Sequence, residues 1–190
     1  RDRRKAERIE HPLEEMLRLR MFAIAAGYED ANDCDSLRYD PIFKMAVGHA
    51  PESGDPLCSQ PTMSRLENAP SKIAIARLMA ALVDGFCESY RRAPSSITLD
   101  IDDTFDAVHG GQQLRLFNAR YDEYGFQPIV VFDADGRFVT AVLRPAKRPK
   151  GVEIRAFLRR LIGAIRANWP KVAILVRADS HYACPDVLDW

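Results

Sequence analysis

Three aspartates near the ends of two apolar segments are the residues of this 190-residue chain best suited to chemistry. Asp100 and Asp102 alternate with apolar residues in the segment Thr98–Thr104, so we expect both carboxylates on one face of a strand. Asp179 follows a second apolar run. Unpaired carboxylates are costly beside a hydrophobic core, and two that meet usually bind a metal ion or share a proton. The pattern predicts an acidic site, provided that the fold brings the two segments together.

The elements that position these aspartates form an α/β region over residues 94–190. The sequence predicts a strand, a β-hairpin across Ala134–Gly136, an amphipathic helix and a last strand. A strand, helix, strand order implies a parallel crossover, so we expect a mixed sheet with Asp102 and Asp179 near the same edge. The predicted segments are Ile97–Asp103, Gln127–Asp133, Arg137–Arg144, Val152–Asn168 and Val172–Arg177.

Residues 1–93 have the apolar spacing of helices, and we interpret them as a DNA-binding region. The predicted helices are Pro12–Ala26, a short helix after Pro41, Ser59–Glu67 and Ser71–Arg92. Hydroxyl groups open the third of these helices and Arg65 follows one turn later, a pattern that suits a recognition helix. Its expected DNA contacts are Thr62, Ser64 and Arg65. In the fourth helix we expect a buried set of Ile73, Ile75, Leu78, Met79, Leu82, Val83 and Phe86.

Charge is unevenly distributed along a chain whose formal net charge is zero. The segment from Arg144 to Arg177 has ten basic residues and one acid, a net charge of +9. Without acidic counterparts, such a segment favours binding to phosphate. On the predicted helix Arg155, Arg159 and Arg166 lie within roughly 40° of one another. The other predicted contacts with a DNA backbone lie in the proline-stiffened loop before it: Arg144, Lys147, Arg148 and Lys150.

Cysteine usage and hydropathy exclude other classes. The four cysteines are scattered without C-x-x-C spacing, so neither a disulfide framework nor a zinc site is expected, and a reducing, cytoplasmic compartment is the prediction. The longest apolar stretches are too short to span a membrane. The chain begins with Arg1 and ends inside a predicted helix at Trp190, so we expect it to be part of a longer protein.

The acidic strand allows more than one function. Asp100–Thr104 fits the Asp-x-Asp-x-Thr signature of haloacid dehalogenase-type phosphatases, in which Asp100 would be the nucleophile and Asp102 the general acid/base. It also fits the metal-binding strand of a ribonuclease H-like nuclease. The hairpin, helix and strand that follow favour the nuclease. The alternative for Asp179 is a helix cap, and a third function is a DNA-binding module without catalysis.

Several motifs, taken in order, resemble the DDE-type transposases of bacterial insertion sequences from about residue 20 to the end. The first set lies upstream and the second in the α/β region: Ala31–Arg38, Asp40-Pro41 and Gln60–Asn68, then Leu99–Thr104, His109–Gln113, Leu143–Pro145 and Val176–Ser180.

The resemblance implies a truncated ribonuclease H-like catalytic domain that cleaves and rejoins DNA with Mg²⁺ or Mn²⁺ held by two aspartates and a glutamate. Asp102 matches the first aspartate, with Asp100 as the alternative, and Asp179 matches the second. The glutamate is expected beyond Trp190, because Glu153 comes too early and on another helix. The implied partners are double-stranded DNA, at the transposon ends and the target, and optionally a second copy of the chain; no membrane partner is expected.

Overall fold

The computed structural model describes residues 4–108 and 114–189, so the motif His109–Gln113 lies outside the described residues. The chain divides into two compact units, Arg1–Ser71 and Lys72–Trp190. Each has its own hydrophobic cluster. None of the helices in these described ranges is long and apolar enough to cross a membrane.

The first unit is helical, as the sequence predicts. Its third helix illustrates why these residues form helices: the Asp40 carboxylate accepts hydrogen bonds from the N–H groups of Ile42 and Phe43 (2.8 and 3.1 Å), and Gly48 ends the helix with a φ of 95°. Met16, Leu19 and Met63 are central to the core. The elements are a 3₁₀ turn Ala6–Arg8 and helices α1 (Leu13–Ala25), α2 (Cys34–Leu37), α3 (Pro41–Val47) and α4 (Gln60–Asn68).

The second unit is a mixed α/β structure with two sheets. The main sheet has the strand order β6-β5-β1-β7, and a small sheet has the order β2-β4-β3. The elements are α5 (Lys72–Glu88), β1 (Ser96–Asp103), β2 (Asp106–Ala107), β3 (Leu116–Asn118), β4 (Glu123–Phe126), β5 (Ile129–Asp133), β6 (Phe138–Val142), α6 (Gly151–Asn168), β7 (Ala173–Ala178), a 3₁₀ turn Ser180–Tyr182 and α7 (Pro185–Leu188).

Strand β1 lies inside the main sheet and pairs with strands of both directions. It is antiparallel to β5 and parallel to β7, as the strand order in the sequence predicts. The β5–β6 hairpin turns at Gly136, whose φ is 79°. There the buried Asp133 carboxylate accepts hydrogen bonds from the N–H groups of Asp135 and Arg137. The mixed sheet is therefore present with the predicted elements.

Helix α6 buries the face that its spacing predicts, against the core of the main sheet. Ile154 and Ile165 are among its most deeply buried side chains, at 1% and 0% exposure. The apolar face of this amphipathic helix consists of Ile154, Phe157, Leu158, Leu161 and Ile165, and all five are buried.

Helix α5 buries less than predicted. Val83 and Phe86 are buried and Met79 packs against the same core, but the expectation for four other apolar residues is wrong. Helix α5 packs against α6 and β6, and Met79, Val83 and Phe86 join the core there, whereas the other four apolar side chains lie outside it. The exposed members are Ile73, Ile75, Leu78 and Leu82.

Because α5 packs on α6 and β6, the compact units divide after Ser71, whereas the sequence places the boundary at residue 93. The small sheet is a further feature that the sequence did not resolve. Its three strands are two to four residues long, too short for an alternating pattern to identify them.

Candidate active site at the ends of β1 and β7

The parallel pairing of β1 and β7 brings two of the predicted aspartates to adjoining strand ends. The last paired residues are Ile101 and Ala178. The next residues are Asp102, still within β1, and Asp179, directly after the end of β7, and both are exposed. Asp179 precedes the 3₁₀ turn but makes no side-chain capping hydrogen bond there. The Asp102 carboxylate accepts a hydrogen bond from the Asp103 N–H at 2.8 Å.

Asp100 lies further back on β1 and is engaged by an arginine. Arg177, its partner in the β-ladder, donates from Nε and Nη2 to the two carboxylate oxygens at 2.6 and 2.7 Å. These hydrogen bonds and the positive charge of the guanidinium lower the pKa of Asp100. The Asp100 carboxylate is therefore already paired with a positive charge of the protein, the Arg177 guanidinium.

Asp103 is a residue of this site that the sequence pattern did not identify. Its side chain is 4% exposed, because it follows Ile101 on the core-facing side of β1. One carboxylate oxygen, Oδ1, accepts from the Tyr182 hydroxyl at 3.2 Å and lies 2.8 Å from His181 Nε2, while Oδ2 accepts from the Gln127 side chain. Side-chain alternation along the strand could have identified this residue, because an acidic side chain at a core-facing position needs hydrogen-bonding partners.

Tyr182 is the buried partner in this cluster. Burial, followed by the nearby Asp103 carboxylate, raises the pKa of the Tyr182 phenol above its ordinary value. The phenol thus stays protonated and donates to Asp103. Through this contact the turn after β7 is joined to the end of β1.

A pocket of about 570 Å³ opens beside these strand ends. Among the described residues, Asp103, Asp179 and His181 form one part of its wall and Asp102 is not in the lining. The loop after β6 contributes Arg148, and the small sheet contributes the opposite side. Carboxylates, cationic side chains and aromatic rings of the second unit thus line the same pocket.

Two of the predicted DNA-binding arginines stabilise local structure. Arg144 contacts Glu153 Oε2 at 3.0 Å and donates to the Lys147 carbonyl, while Arg166 donates to the carbonyls of Val172 and Pro170. Arg155 and Arg159 border a groove of about 430 Å³ on α6. The other predicted basic contacts, Lys147, Arg148 and Lys150, are exposed.

In the first unit, the N-terminus of α4 already has an acidic partner. The Asp35 carboxylate accepts a hydrogen bond from the Gln60 N–H at 2.9 Å. Arg65 is exposed and donates to Thr62 Oγ1 at 3.0 Å, and Ser64 Oγ accepts from the Gln60 side chain. A phosphate at this helix end would meet the carboxylate of Asp35.

The donor chemistry of Asp102 and Asp179 suits a hard divalent cation, which prefers carboxylate oxygens. The described ranges contain no group of three or more His, Cys, Asp or Glu side chains arranged to hold a metal ion. Asp102 and Asp179 therefore supply the type of donor that such a cation prefers, while the pocket at these strand ends is lined by Asp179 and Asp103 and not by Asp102.

Comparison with known proteins tests which family the chain belongs to. A family model described as Transposase DDE domain group 1 matches residues 1–190. Comparison with curated proteins and with solved structures gave no match. The match confirms the resemblance that the sequence motifs indicate. Since it spans the whole chain, this chain belongs to the transposase DDE domain group 1 family.

Proposed function

We propose that this protein is a DNA transposase in which Asp102 and Asp179 hold a divalent metal ion for phosphodiester cleavage and strand transfer at the ends of an insertion sequence. One observation carries the proposal. The register of β1 and β7 puts these two aspartates directly after the paired residues Ile101 and Ala178, and both are exposed. Membership of a transposase family supports the reaction class, and a ribonuclease H-like arrangement of the main sheet is part of the proposal.

Carboxylate ligands that meet at a strand edge suit Mg²⁺ or Mn²⁺, which when bound activates water or a 3′-hydroxyl for attack on a phosphodiester. The residues of the chain keep those ligands in place. Asp103 joins the end of β1 to His181 and Tyr182 in the turn that follows Asp179. We assign Asp103 to positioning, because its carboxylate is buried and already has protein partners.

The basic residues would hold the DNA backbone beside this edge. Arg155 and Arg159 on α6, with Lys147, Arg148 and Lys150 in the preceding loop, offer exposed or half-exposed cations. Backbone contacts of this kind give salt-sensitive affinity with little sequence preference. The helical first unit, with Thr62, Ser64 and Arg65 on α4, is proposed to contribute the choice of DNA end.

A phosphatase mechanism through Asp100 is less well supported. The nucleophile of such an enzyme must be free to attack a phosphoryl group, whereas both oxygens of Asp100 accept hydrogen bonds from Arg177. That alternative would be favoured by two results together. The unaltered protein would hydrolyse a phosphomonoester but not cleave DNA, and Asp100→Asn would lose the phosphomonoester turnover.

The decisive experiment measures nicking of DNA that carries the ends of the element, by the full-length protein with Mg²⁺ or Mn²⁺. Asp102→Asn and Asp179→Asn should each reduce cleavage by more than the roughly 10- to 100-fold that loss of an outer partner of a metal ligand costs. Asp135→Asn is the matched control, since Asp135 is an exposed carboxylate in the β5–β6 turn. It should cleave normally.

Circular dichroism of each variant separates loss of the site from loss of fold. Binding of the same DNA should persist in Asp102→Asn although cleavage is lost, whereas a module that only binds would not cleave even in its unaltered form. Cleavage retained in Asp102→Asn, or lost equally in Asp135→Asn, would contradict the proposed site.

A further inference from the structure

Three large aromatic side chains on the small sheet and its β3–β4 turn are about half exposed to solvent. Phe117, Tyr121 and Tyr124 are 49%, 47% and 50% exposed. Phe117 and Tyr124 are opposite each other on β3 and β4, and their rings meet edge to face at 5.3 Å. Aromatic groups so exposed on adjoining strands indicate a binding surface.

The rings are arranged for stacking, and cations lie over them. Tyr121 is stacked on Phe105, with ring centroids 4.3 Å apart and planes 7° from parallel. The guanidinium of Arg120 lies 5.8 Å from the Tyr121 centroid, and that of Arg115 lies 4.8 Å from the Tyr124 centroid. A planar ligand would stack beside aromatic rings and guanidinium groups that already pack against one another.

This surface is continuous with the candidate active site. Phe117, Arg120 and Tyr121 line the same pocket as Asp179 and Arg148. A volume of about 570 Å³ is within the range of pockets that enclose small ligands. A group held on the aromatic rings would therefore lie beside the acidic end of β7.

We propose that the pocket between the small sheet and the end of β7 binds an unpaired nucleotide of DNA, whose base stacks on Phe117 beside the Phe105–Tyr121 pair. The inference rests on the proposed function for the identity of the polymer as DNA. Bases in a duplex have both faces covered by their neighbours, so exposed aromatic rings select nucleotides that are unpaired. Stacking tolerates any base, because every base has a π-face.

The charges around the rings favour a nucleotide held mainly by its base. Arg120 and Arg148 offer cations to its phosphates. Asp122 and Glu123, however, lie in the same hairpin and repel a phosphate backbone. We therefore expect binding of single-stranded DNA here to depend less on salt than binding of duplex DNA to α6.

The test is binding of a single strand of about eight nucleotides containing 2-aminopurine, within the usual range of site sizes, to the full-length protein in EDTA. Cleavage is absent under these conditions. Phe117→Ala should weaken binding by roughly 5- to 150-fold and abolish the fluorescence quenching caused by stacking. Phe117→Trp should restore both, because indole stacks at least as well as a phenyl ring.

Phe138→Ala is the matched control. Phe138 is 44% exposed and also forms an edge-to-face cross-strand pair, with Phe132, but on the β5–β6 hairpin. It should bind like the unaltered protein. Unchanged quenching in Phe117→Ala, equal losses in Phe117→Ala and Phe138→Ala, or failure of Phe117→Trp to restore binding would overturn the proposal.

The catalytic proposal can fail separately. Asp102→Asn should quench 2-aminopurine as the unaltered protein does while losing cleavage. If cleavage survives in Asp102→Asn but Phe117→Ala loses quenching, only the catalytic assignment is wrong. If Phe117→Ala quenches normally while Asp102→Asn has lost cleavage, only the stacking surface is wrong.

Discussion

At the scale of single residues, three neighbouring aspartates on one strand have different environments. Asp100 is paired with Arg177, Asp102 is exposed, and Asp103 is buried among Gln127 and Tyr182. The sequence places Asp100 and Asp102 on one face of the strand but does not show the partners of any of the three. Their neighbours across the sheet and in the following turn distinguish a carboxylate paired with an arginine, an exposed carboxylate and a buried one.

The ion pair between Asp100 and Arg177 leads to a prediction about the pKa of Asp100. Arg177→Gln should return the pKa of Asp100 upward toward its ordinary value, because hydrogen bonds and charge from Arg177 hold it low. A lowered pKa contributes stability that is present above the unfolded-state value of about 3.9 and is lost as the pH falls through the folded-state value. Carboxyl NMR titration measures the shift directly.

The contribution to stability is small because the Asp100 and Arg177 side chains are 39% and 58% exposed. Arg137→Gln is the control for this titration. It removes a guanidinium 3.6 Å from Asp135 in the hairpin turn and should leave Asp100 unchanged. An Asp100 titration identical in Arg177→Gln and in the unaltered protein would show that the pair does not form in solution.

At the scale of elements, the small sheet depends on one glycine. Gly125 lies in the central strand β4, opposite Ala107 on one side and Leu116 on the other. A Cβ at this position would come within 2.6 Å of the Phe105 ring. The Asp106 carbonyl oxygen would be closer still, so the approach of β2 and Phe105 to the β4 backbone requires a residue without a side chain.

Gly125→Ala should therefore loosen the pairing of β2 with β4 while the main sheet keeps its structure. The measurement is hydrogen exchange of the Val108 N–H, which donates to the Tyr124 carbonyl at 2.9 Å. We expect faster exchange there and unchanged protection in β1 and β5.

Gly163→Ala in α6 is the matched substitution. A Cβ at Gly163 meets nothing within 4 Å, and in a helix this change stabilises by up to about 1 kcal/mol. Val108 protection that is the same in both variants would argue against the close contact at Gly125.

At the scale of the whole molecule, a net charge of zero conceals a basic segment of +9 between Arg144 and Arg177. Tertiary structure divides that segment into arginines that hold the fold and arginines that are exposed. Arg166 is hydrogen-bonded to the carbonyl of Val172, whereas Arg159 is exposed on α6. Their substitutions should have different effects on DNA binding and on stability.

Arg159→Gln should weaken duplex binding and reduce the slope of log K against log salt by about 0.9, the value for one lost phosphate contact. Thermal stability should be nearly unchanged. Arg166→Gln should lower the melting temperature and change the slope less. Titration of duplex DNA over a series of salt concentrations, with a melting curve for each variant, gives both quantities. Equal slopes and equal melting temperatures would contradict this division.

The sequence alone determined the order of the main-sheet strands and α6, the buried face of α6 and the family, because local periodicity, turn residues and ordered motifs are properties of the chain itself. Only the tertiary structure decided which aspartate is paired, which is buried and which is exposed. It also decided that α5 belongs with the sheet and that a small aromatic sheet lines the pocket. Those outcomes depend on contacts between residues far apart in sequence, such as Asp100 with Arg177 and Asp103 with Tyr182, which local patterns do not encode.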